Sequence, residues 1–217
     1  MHISASLLAA DFSCLGREVR RSERAGVDSF HFDVMDGHYA PNIALSTGHL
    51  AMLRPHTRLP FHVHLELSNP DDVLQRFEPF AAELIIVCRD TLSDPRHTFS
   101  LIRSRAAKVG LSLNPGESLE DSCLLLPELD LLLVLAVHPG FGGQAMQPDT
   151  VSRVLAARQL IDRMGLNIPL AVDGGVTLEN APSLIQAGAD MLIIGTALFR
   201  ARKMNDYVAG LRASAPA

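Results

Sequence analysis

Short apolar segments alternate with amphipathic segments along the whole chain, at intervals of roughly 25 residues. Eight of the apolar segments have the length and composition of β-strands, and the segments between them have helical periodicity. Strands that alternate with helices pair in parallel through right-handed crossovers. The predicted strands are 3–8, 29–34, 61–67, 84–88, 108–113, 131–137, 169–173 and 191–194, and the clearest predicted helices are 15–25, 71–77, 96–107, 149–164 and 178–187.

Two closures suit eight such units, namely a doubly wound open sheet and a (β/α)8 barrel. Near-equal units without a longer spacer favour the barrel, and 217 residues lie within the range of about 200–250 common for it. The open sheet also requires apolar residues on both faces of its strands, which several segments lack. We therefore predict an α/β protein with a single (β/α)8 TIM barrel over residues 1–217.

Composition excludes several classes of protein. A hydrophobic fraction of 47% supports a large core, and a net charge of −5 argues against general nucleic-acid binding. No apolar run approaches the roughly 20 residues that span a bilayer, and the N-terminus lacks a secretory signal. Cys14, Cys88 and Cys123 are odd in number and widely spaced, which suits a reducing compartment. We expect a cytoplasmic protein without a membrane or nucleic-acid partner.

Acidic and imidazole side chains share single faces of two predicted strands. Alternation puts His31 with Asp33 on one strand, and His64 with Glu66 on another, while a third strand ends at Asp173. The C-terminal ends of barrel strands open into one mouth. His31, Asp33, His64 and Asp173 therefore form a candidate ligand set for Zn, Fe, Mn or Co. The alternative is that they are separate polar groups, each satisfied by hydrogen bonds.

Asp33 and Asp173 come from the second and seventh strands, which lie nearly opposite each other in a ring of eight. Such carboxylates can flank a bound substrate, one removing a proton from carbon and the other delivering one from the far side. That arrangement inverts a stereocentre. The alternative is that both are metal ligands only.

Glycines follow each of the last three strands. Closely spaced glycines let backbone N–H groups approach an anion, and phosphate sites in barrels often lie in these loops. The sequence contains only two lysines, Lys108 and Lys203, and neither is expected to reach the mouth. Backbone amides would therefore hold the anion, and Schiff-base chemistry is disfavoured. The residues concerned are Gly140, Phe141, Gly142 and Gly143, then Gly174 and Gly175, then Gly195 and Thr196.

Several motifs in combination resemble the ribulose-phosphate 3-epimerase family, over nearly the whole chain up to about residue 200. The most specific are the runs Asp33-Val34-Met35-Asp36-Gly37-His38 and Pro139-Gly140-Phe141-Gly142-Gly143-Gln144. Further matches are Ile3-Ser4-Ala5-Ser6-Leu7-Leu8-Ala9-Ala10-Asp11-Phe12, Val63-His64-Leu65, Leu113-Asn114-Pro115, Val172-Asp173-Gly174-Gly175 and Gly195-Thr196-Ala197-Leu198-Phe199.

The resemblance implies a ribulose-phosphate-binding barrel that interconverts ketose phosphates differing at C3, within pentose phosphate metabolism. It implies a divalent metal on the counterparts of His31, Asp33, His64 and Asp173, with Asp33 and Asp173 as the acid–base pair. It also implies that Ser6 and His64 contact the substrate, that the glycine loops hold its phosphate, and that the chain forms a homo-oligomer. The default substrates are D-ribulose 5-phosphate and D-xylulose 5-phosphate.

Three residues depart from the pattern of that family. Glu66 and Leu135 stand where methionine is usual, and Cys88 stands where histidine is usual. A carboxylate against an apolar wall is costly unless it is paired, protonated or bonded to substrate or metal. We therefore expect Glu66 to alter substrate choice or to weaken turnover of ribulose phosphate.

Other functions remain open at this point. One is a 3-epimerase for another ketose phosphate, such as allulose 6-phosphate, and another is a phosphosugar-binding relative with weak or no turnover. Related metal-dependent lyases carry an Asp-x-Lys run on the third strand, which here reads His62-Val63-His64, so they are disfavoured.

Overall fold

The computed structural model describes residues 1–76 and 81–214. Eight parallel strands form a closed barrel in chain order, and the ring closes where the first strand pairs with the last. This confirms the predicted (β/α)8 barrel. The strands are β1 His2–Ser6, β2 Ser29–Met35, β3 Phe61–Glu66, β4 Leu84–Cys88, β5 Lys108–Leu113, β6 Leu131–Leu135, β7 Leu170–Asp173 and β8 Met191–Ile194.

Helices surround the barrel, and each of the five predicted helices occurs with ends shifted by up to three residues. The last residue of the predicted helix 71–77, Phe77, lies outside the described residues. The unit between β5 and β6 carries short 3₁₀ turns in place of an α-helix. The α-helices are α1 Leu15–Ala25, α2 Thr47–Leu53, α3 Pro70–Arg76, α4 Pro95–Ser104, α5 Thr150–Arg163, α6 Ala181–Gln186, α7 Thr196–Phe199 and α8 Met204–Ala213.

A glycine ends α1. Gly26 has φ +92° and its N–H bonds back to the carbonyl of Glu23, so the chain leaves the helix in a left-handed conformation that favours glycine. In the described ranges, no helix has the length and apolar character needed to cross a membrane.

Most of the core lies between the barrel and its helices. Phe30 and Phe32 on β2 and Phe61 and Val63 on β3 point outward and are fully buried in this layer. Burying one such side chain contributes about 1.5–3 kcal/mol. A second, smaller apolar cluster lies inside the barrel. Its members are Leu84, Ile86, Leu131, Leu133, Ala171, Met191 and Ile193.

The strand register fixes which residues point inward. His31 lies beside His62, Asp33 beside His64, and Met35 beside Glu66 on the paired strands β2 and β3. Because paired residues of parallel strands share a face, the outward phenylalanines force these polar side chains into the barrel interior. The strand alternation thereby sends the imidazole and carboxyl groups toward one mouth.

Candidate active site

Four side chains from three strands converge at the mouth of the barrel. One donor atom from each of His31, Asp33, His64 and Asp173 lies within 4.8 Å of every other donor. His31 Nε2 is 3.1 Å from Asp33 Oδ1 and 3.5 Å from Asp173 Oδ2, and His64 Nδ1 is 3.7 Å from Asp33 Oδ1. The alternation on β2 and β3 therefore brings the sequence-predicted group together, although the two strands that supply its carboxylates are not neighbours.

The donor set fits a divalent cation. Metal bonds of about 2.0–2.2 Å put neighbouring tetrahedral ligands roughly 3.5 Å apart, close to the observed spacings. Both ring nitrogens of His31 and Nδ1 of His64 are buried without a hydrogen-bond partner in the described part of the chain. Buried polar atoms are normally partnered. Two imidazole nitrogens and two carboxylate oxygens at these spacings could hold a metal ion.

Ser112 on β5 orients one of the imidazoles. His64 Nε2 lies 2.9 Å from Ser112 Oγ, and that hydroxyl lies 3.4 Å from the carbonyl oxygen of Val87. If the hydroxyl donates to the carbonyl, it accepts from Nε2–H, which leaves the Nδ1 lone pair facing Asp33. Sequence reasoning missed Ser112, although a serine on the inward face of an otherwise apolar strand was a signal.

The two carboxyl groups have opposite electrostatic environments. Burial disfavours the ionised form of Asp33, but the adjacent His31 and His64 together outweigh burial and hold the pKa of Asp33 below its usual value. Burial raises the pKa of Asp173 to about 7, and the charge of Asp33 also raises it. Carboxyl groups whose pKa values are driven apart are typical of an acid–base pair.

An open cavity of about 570 Å³ lies above these side chains. Asp33 and Asp173 lie at its floor, and Ser6 lines it while donating a 2.8 Å hydrogen bond to Asp33 Oδ2. His31 and His64 are fully buried behind the carboxylates and do not line the cavity. Among the residues expected to contact substrate, His64 therefore lies with the ligand group instead of on the cavity wall.

The three glycine loops line one side of this cavity. A Cβ atom on Gly175 would lie 2.5 Å from Met146 N, and one on Gly142 would lie 3.3 Å from Thr196 Oγ1. The backbone there approaches neighbouring loops more closely than a side chain would allow. Lining residues in this region are Gly140, Phe141, Gly142, Gly143, Gly174, Gly175, Gly195 and Thr196.

Side-chain amides fix the shape of these loops. Gln144 Nε2 donates 2.8 Å hydrogen bonds to the carbonyls of His138 and Phe141. Asn180 Nδ2 donates to Gly175 O, and Asn42 Nδ2 donates to Gly140 O. These hydrogen bonds hold the glycine loops in place before any ligand binds.

Arg200 is a lining residue that sequence reasoning missed. It follows α7 and lies on the same side of the cavity as the glycine loops. The sequence prediction weighed lysines alone and assigned the anion to backbone amides. A guanidinium five residues after Gly195 was a readable signal, because arginine is the better partner for a phosphate.

Comparison with known proteins points to one family. The profile of the ribulose-phosphate 3 epimerase family matches residues 2–199. The ribulose-phosphate 3-epimerase of Synechocystis sp. is 36% identical over 214 residues, which are 98% of this chain and 93% of that protein. The enzyme of that name from Bacillus subtilis is 34% identical over 213 residues, covering 98% of both chains. The one from Escherichia coli K12 is 37% identical over 198 residues, covering 91% and 88%.

Solved structures show similarity at the level of the fold. Thiamine phosphate pyrophosphorylase from Pyrococcus furiosus superposes with a TM-score of 0.64 at 15% identity, covering 98% of this chain and 94% of that one. A 3-hexulose-6-phosphate synthase gives 0.62 at 15% identity and covers the whole of both chains. At these identities the likeness concerns the barrel and not its chemistry.

Proposed function

Because the chain belongs to the ribulose-phosphate 3-epimerase family, and is thus an isomerase, we propose that it interconverts D-ribulose 5-phosphate and D-xylulose 5-phosphate by a two-carboxylate proton transfer. The observation that carries the mechanism is the convergence, beneath a glycine-walled cavity, of Asp33 and Asp173 with His31 Nε2 and His64 Nδ1, two nitrogens without a hydrogen-bond partner among the described residues.

We propose a divalent metal ion, Zn, Fe, Mn or Co, held by His31, Asp33, His64 and Asp173. The C3 proton of the sugar lies beside the C2 ketone and is too weakly acidic for an unaided carboxylate. The ion, when bound, supplies electrostatic stabilisation of the negative charge that develops on the substrate oxygens. The mixed nitrogen and oxygen donor set supports this class of metal without choosing among its members.

Asp33 and Asp173 exchange the C3 proton on opposite faces of the sugar. An epimerase of this kind needs one carboxyl ionised and one protonated at the start of each turnover, with the roles reversed in the other direction. The opposite pKa shifts of Asp33 and Asp173 support that division. Ser6, which donates to Asp33, keeps that carboxylate oriented toward the cavity.

The phosphate of the substrate binds in the glycine loops. Gly142, Gly143 and Gly175 leave backbone room there, and Arg200 adds a cation on the same side. Together these groups would neutralise and orient a dianionic tail. The C2–C3 bond then lies above the two carboxylates.

A proton-exchange assay in heavy water tests this function. Ribulose 5-phosphate, xylulose 5-phosphate and allulose 6-phosphate are each incubated with metal-free protein and with protein to which Zn, Mn, Fe or Co is added back. We expect deuterium at C3 and epimer formation in the pentulose phosphates, with the metal required. The absence of exchange in all three sugars would contradict the proposal.

One specific observation favours two other functions, namely a 3-epimerase for another ketose phosphate and a phosphosugar-binding protein with weak or no turnover. Glu66 places a carboxyl group on the cavity wall, where it would suit a different ketose phosphate or impair turnover. Preferred exchange of allulose 6-phosphate would support the first, and binding without exchange would support the second.

We also propose that residues 1–217 form one catalytic domain that works as a homo-oligomer in the cytoplasm. The cytoplasmic assignment is supported by Cys14, Cys88 and Cys123, none of which forms a disulfide with another described residue.

A further inference from the structure

Glu66 is a buried carboxyl group that the proposed proton transfer does not use. It ends β3, is 2% exposed, and lines the cavity. Its Oε2 atom finds no hydrogen-bond partner in residues 1–76 and 81–214. Glu66 also stays outside the group of four converging donors formed by the histidines and aspartates below it.

An unpartnered carboxyl group in such a place is costly. Moving a polar group out of water without a compensating hydrogen bond costs roughly 1–3 kcal/mol in proteins, and a charged group costs more. Its register neighbour Met35 offers no hydrogen-bond donor. The negative charges of the nearby Asp33 and Asp173 carboxyl groups repel a further negative charge on Glu66. A hydroxyl group of a ligand would supply the missing partner.

The topology indicates which hydroxyl. The glycine loops follow β6, β7 and β8, whereas Glu66 ends β3, and in a ring of eight strands β3 lies directly opposite β7. A ketose phosphate whose phosphate lies in those loops, and whose C2–C3 bond lies above Asp33 and Asp173, directs its other end across the mouth. That end is C1, which carries a hydroxyl group.

We propose that Glu66 accepts a hydrogen bond from the C1 hydroxyl of the ketose phosphate, and that it thereby selects substrates with a hydroxyl at the end remote from the phosphate. The inference rests on the proposed function, since it takes the orientation of the sugar from the two carboxylates and the glycine loops. A carboxyl oxygen accepts such a bond whether or not the group is ionised.

The test compares D-xylulose 5-phosphate with its 1-deoxy analogue on three proteins: wild type, Glu66→Met and Glu66→Gln. The readout is kcat/KM for deuterium exchange at C3, followed by NMR. Loss of one hydrogen bond to a carboxylate corresponds to roughly 10–100-fold. We expect wild type to favour the hydroxylated sugar by about that factor, Glu66→Met to favour it by less than about threefold, and Glu66→Gln to lie between them, since its amide oxygen still accepts.

Met35→Leu is the matched control, because Met35 lines the same cavity beside Glu66 without a polar group. Its preference for the hydroxylated sugar should equal that of wild type. An equal preference in wild type and Glu66→Met would overturn the inference. So would a tenfold or greater loss of metal affinity in Glu66→Met, since that result would assign the carboxyl to the ion.

The proposed function can fail separately. If wild type exchanges C3 of no pentulose phosphate, the epimerase proposal is wrong, and calorimetric binding of the same two sugars to wild type and Glu66→Met decides the contact. If wild type binds the hydroxylated sugar more tightly than the 1-deoxy sugar and Glu66→Met does not, the inference is supported. Equal affinities of wild type for the two sugars overturn it. If Glu66→Met does not fold, the same comparison is made with Glu66→Gln.

Discussion

The interior of the barrel has two unlike halves. Strands β1–β3 fill theirs with polar side chains, whereas β4–β8 contribute mainly Leu, Ile, Ala and Met. Most inward side chains of both halves are buried, and both halves belong to one continuous ring of strands. The buried polar residues that point inward in the polar half are Ser4, Ser6, Ser29, His31, Asp33, His62, His64 and Glu66.

The difference indicates that one half of the interior serves mainly stability and the other mainly function. Apolar side chains pack without needing hydrogen-bond partners, so those of the β4–β8 half stabilise the barrel by packing. The polar half must satisfy each group, and at the mouth it leaves several unsatisfied. Natural proteins retain such unfavourable groups where function requires them. Asp173 is the one acid that the β4–β8 half contributes to the floor of the cavity.

The largest expected effect comes from removing either acid of the pair. Asp33→Asn and Asp173→Asn should each lower the rate of C3 proton exchange by up to about 10⁴-fold, because an amide neither removes nor delivers the proton. NMR in heavy water measures the exchange. Asp130→Asn, at the opposite end of the barrel where Asp130 accepts from Val109 N, should leave the rate within a few-fold. Wild-type exchange in both site variants would refute the two-carboxylate mechanism.

A substitution that creates a cavity tests how much the apolar half contributes to stability. Leu133 is fully buried inside the barrel, and Leu133→Ala should lower the free energy of unfolding by about 2–5 kcal/mol. Urea denaturation followed by circular dichroism measures the loss. Leu124, which is 84% exposed, provides the control, since Leu124→Ala should change stability by less than about 0.5 kcal/mol. Equal effects of the two substitutions would remove the proposed role of this half.

The polar half should make the barrel sensitive to acid. Burial lowers the pKa of His62 from 6.5 to about 3. Between these two pH values the histidine is protonated in the unfolded chain and neutral in the folded protein. The contribution of His62 to stability is unaffected above about pH 6.5 and becomes unfavourable as the pH drops toward 3, at up to about 1.4 kcal/mol per pH unit. His62→Leu should flatten this slope in urea melts, whereas His97→Leu, at an exposed position, should not. An unchanged slope in His62→Leu would contradict the argument.

Ser112 links the two halves, because it lies on β5 and contacts His64 on β3. Ser112→Ala removes the group that orients the imidazole, and we expect metal affinity to fall by about 10–100-fold. Competition with a chromophoric chelator measures the affinity. Ser4→Ala removes a buried hydroxyl that bonds to Ser29 at the far end of the barrel, and it should bind metal as wild type does. Equal affinities in both variants would leave Ser112 without this role.

The smallest expected effect is a gain. Glu66→Met replaces an unpartnered carboxyl with an apolar side chain of similar length, and it should raise the free energy of unfolding of metal-free protein by about 1 kcal/mol. The gain lies at the lower end of the usual range, because Glu66 also borders the cavity. Chemical denaturation measures it, with Met35→Leu as the neutral comparison. A destabilised Glu66→Met would indicate that the carboxyl has a structural partner.

The fold and the floor of the site could be predicted from the sequence because strand alternation carries the information. The pattern of His31 and Asp33 against Phe30 and Phe32 already assigns inward and outward faces. The observed strand ends differ from the predicted ends by up to two residues, as at β6, because apolar runs of the sequence continue from strands into loops.

Contacts between distant loops could not be predicted in the same way. The hydrogen bond from Asn42 to Gly140 and the position of Arg200 depend on how separate βα loops meet in space. Ser112 reaches His64 only because the register of β3, β4 and β5 brings them together. His2 on β1 stacks its ring on that of His62, with 5.9 Å between the ring centroids, a contact that depends on the pairing of strands far apart in sequence.

The pairing of β1 with β8 sets His2 beside Met191, so the ring stays open until nearly the whole chain has left the ribosome. Until then both edge strands expose unpaired backbone groups, and such edges invite contact with other chains. Contacts this distant in sequence also slow folding. A truncation ahead of Met191 would therefore yield an aggregation-prone product that still carries all four residues of the candidate ligand set.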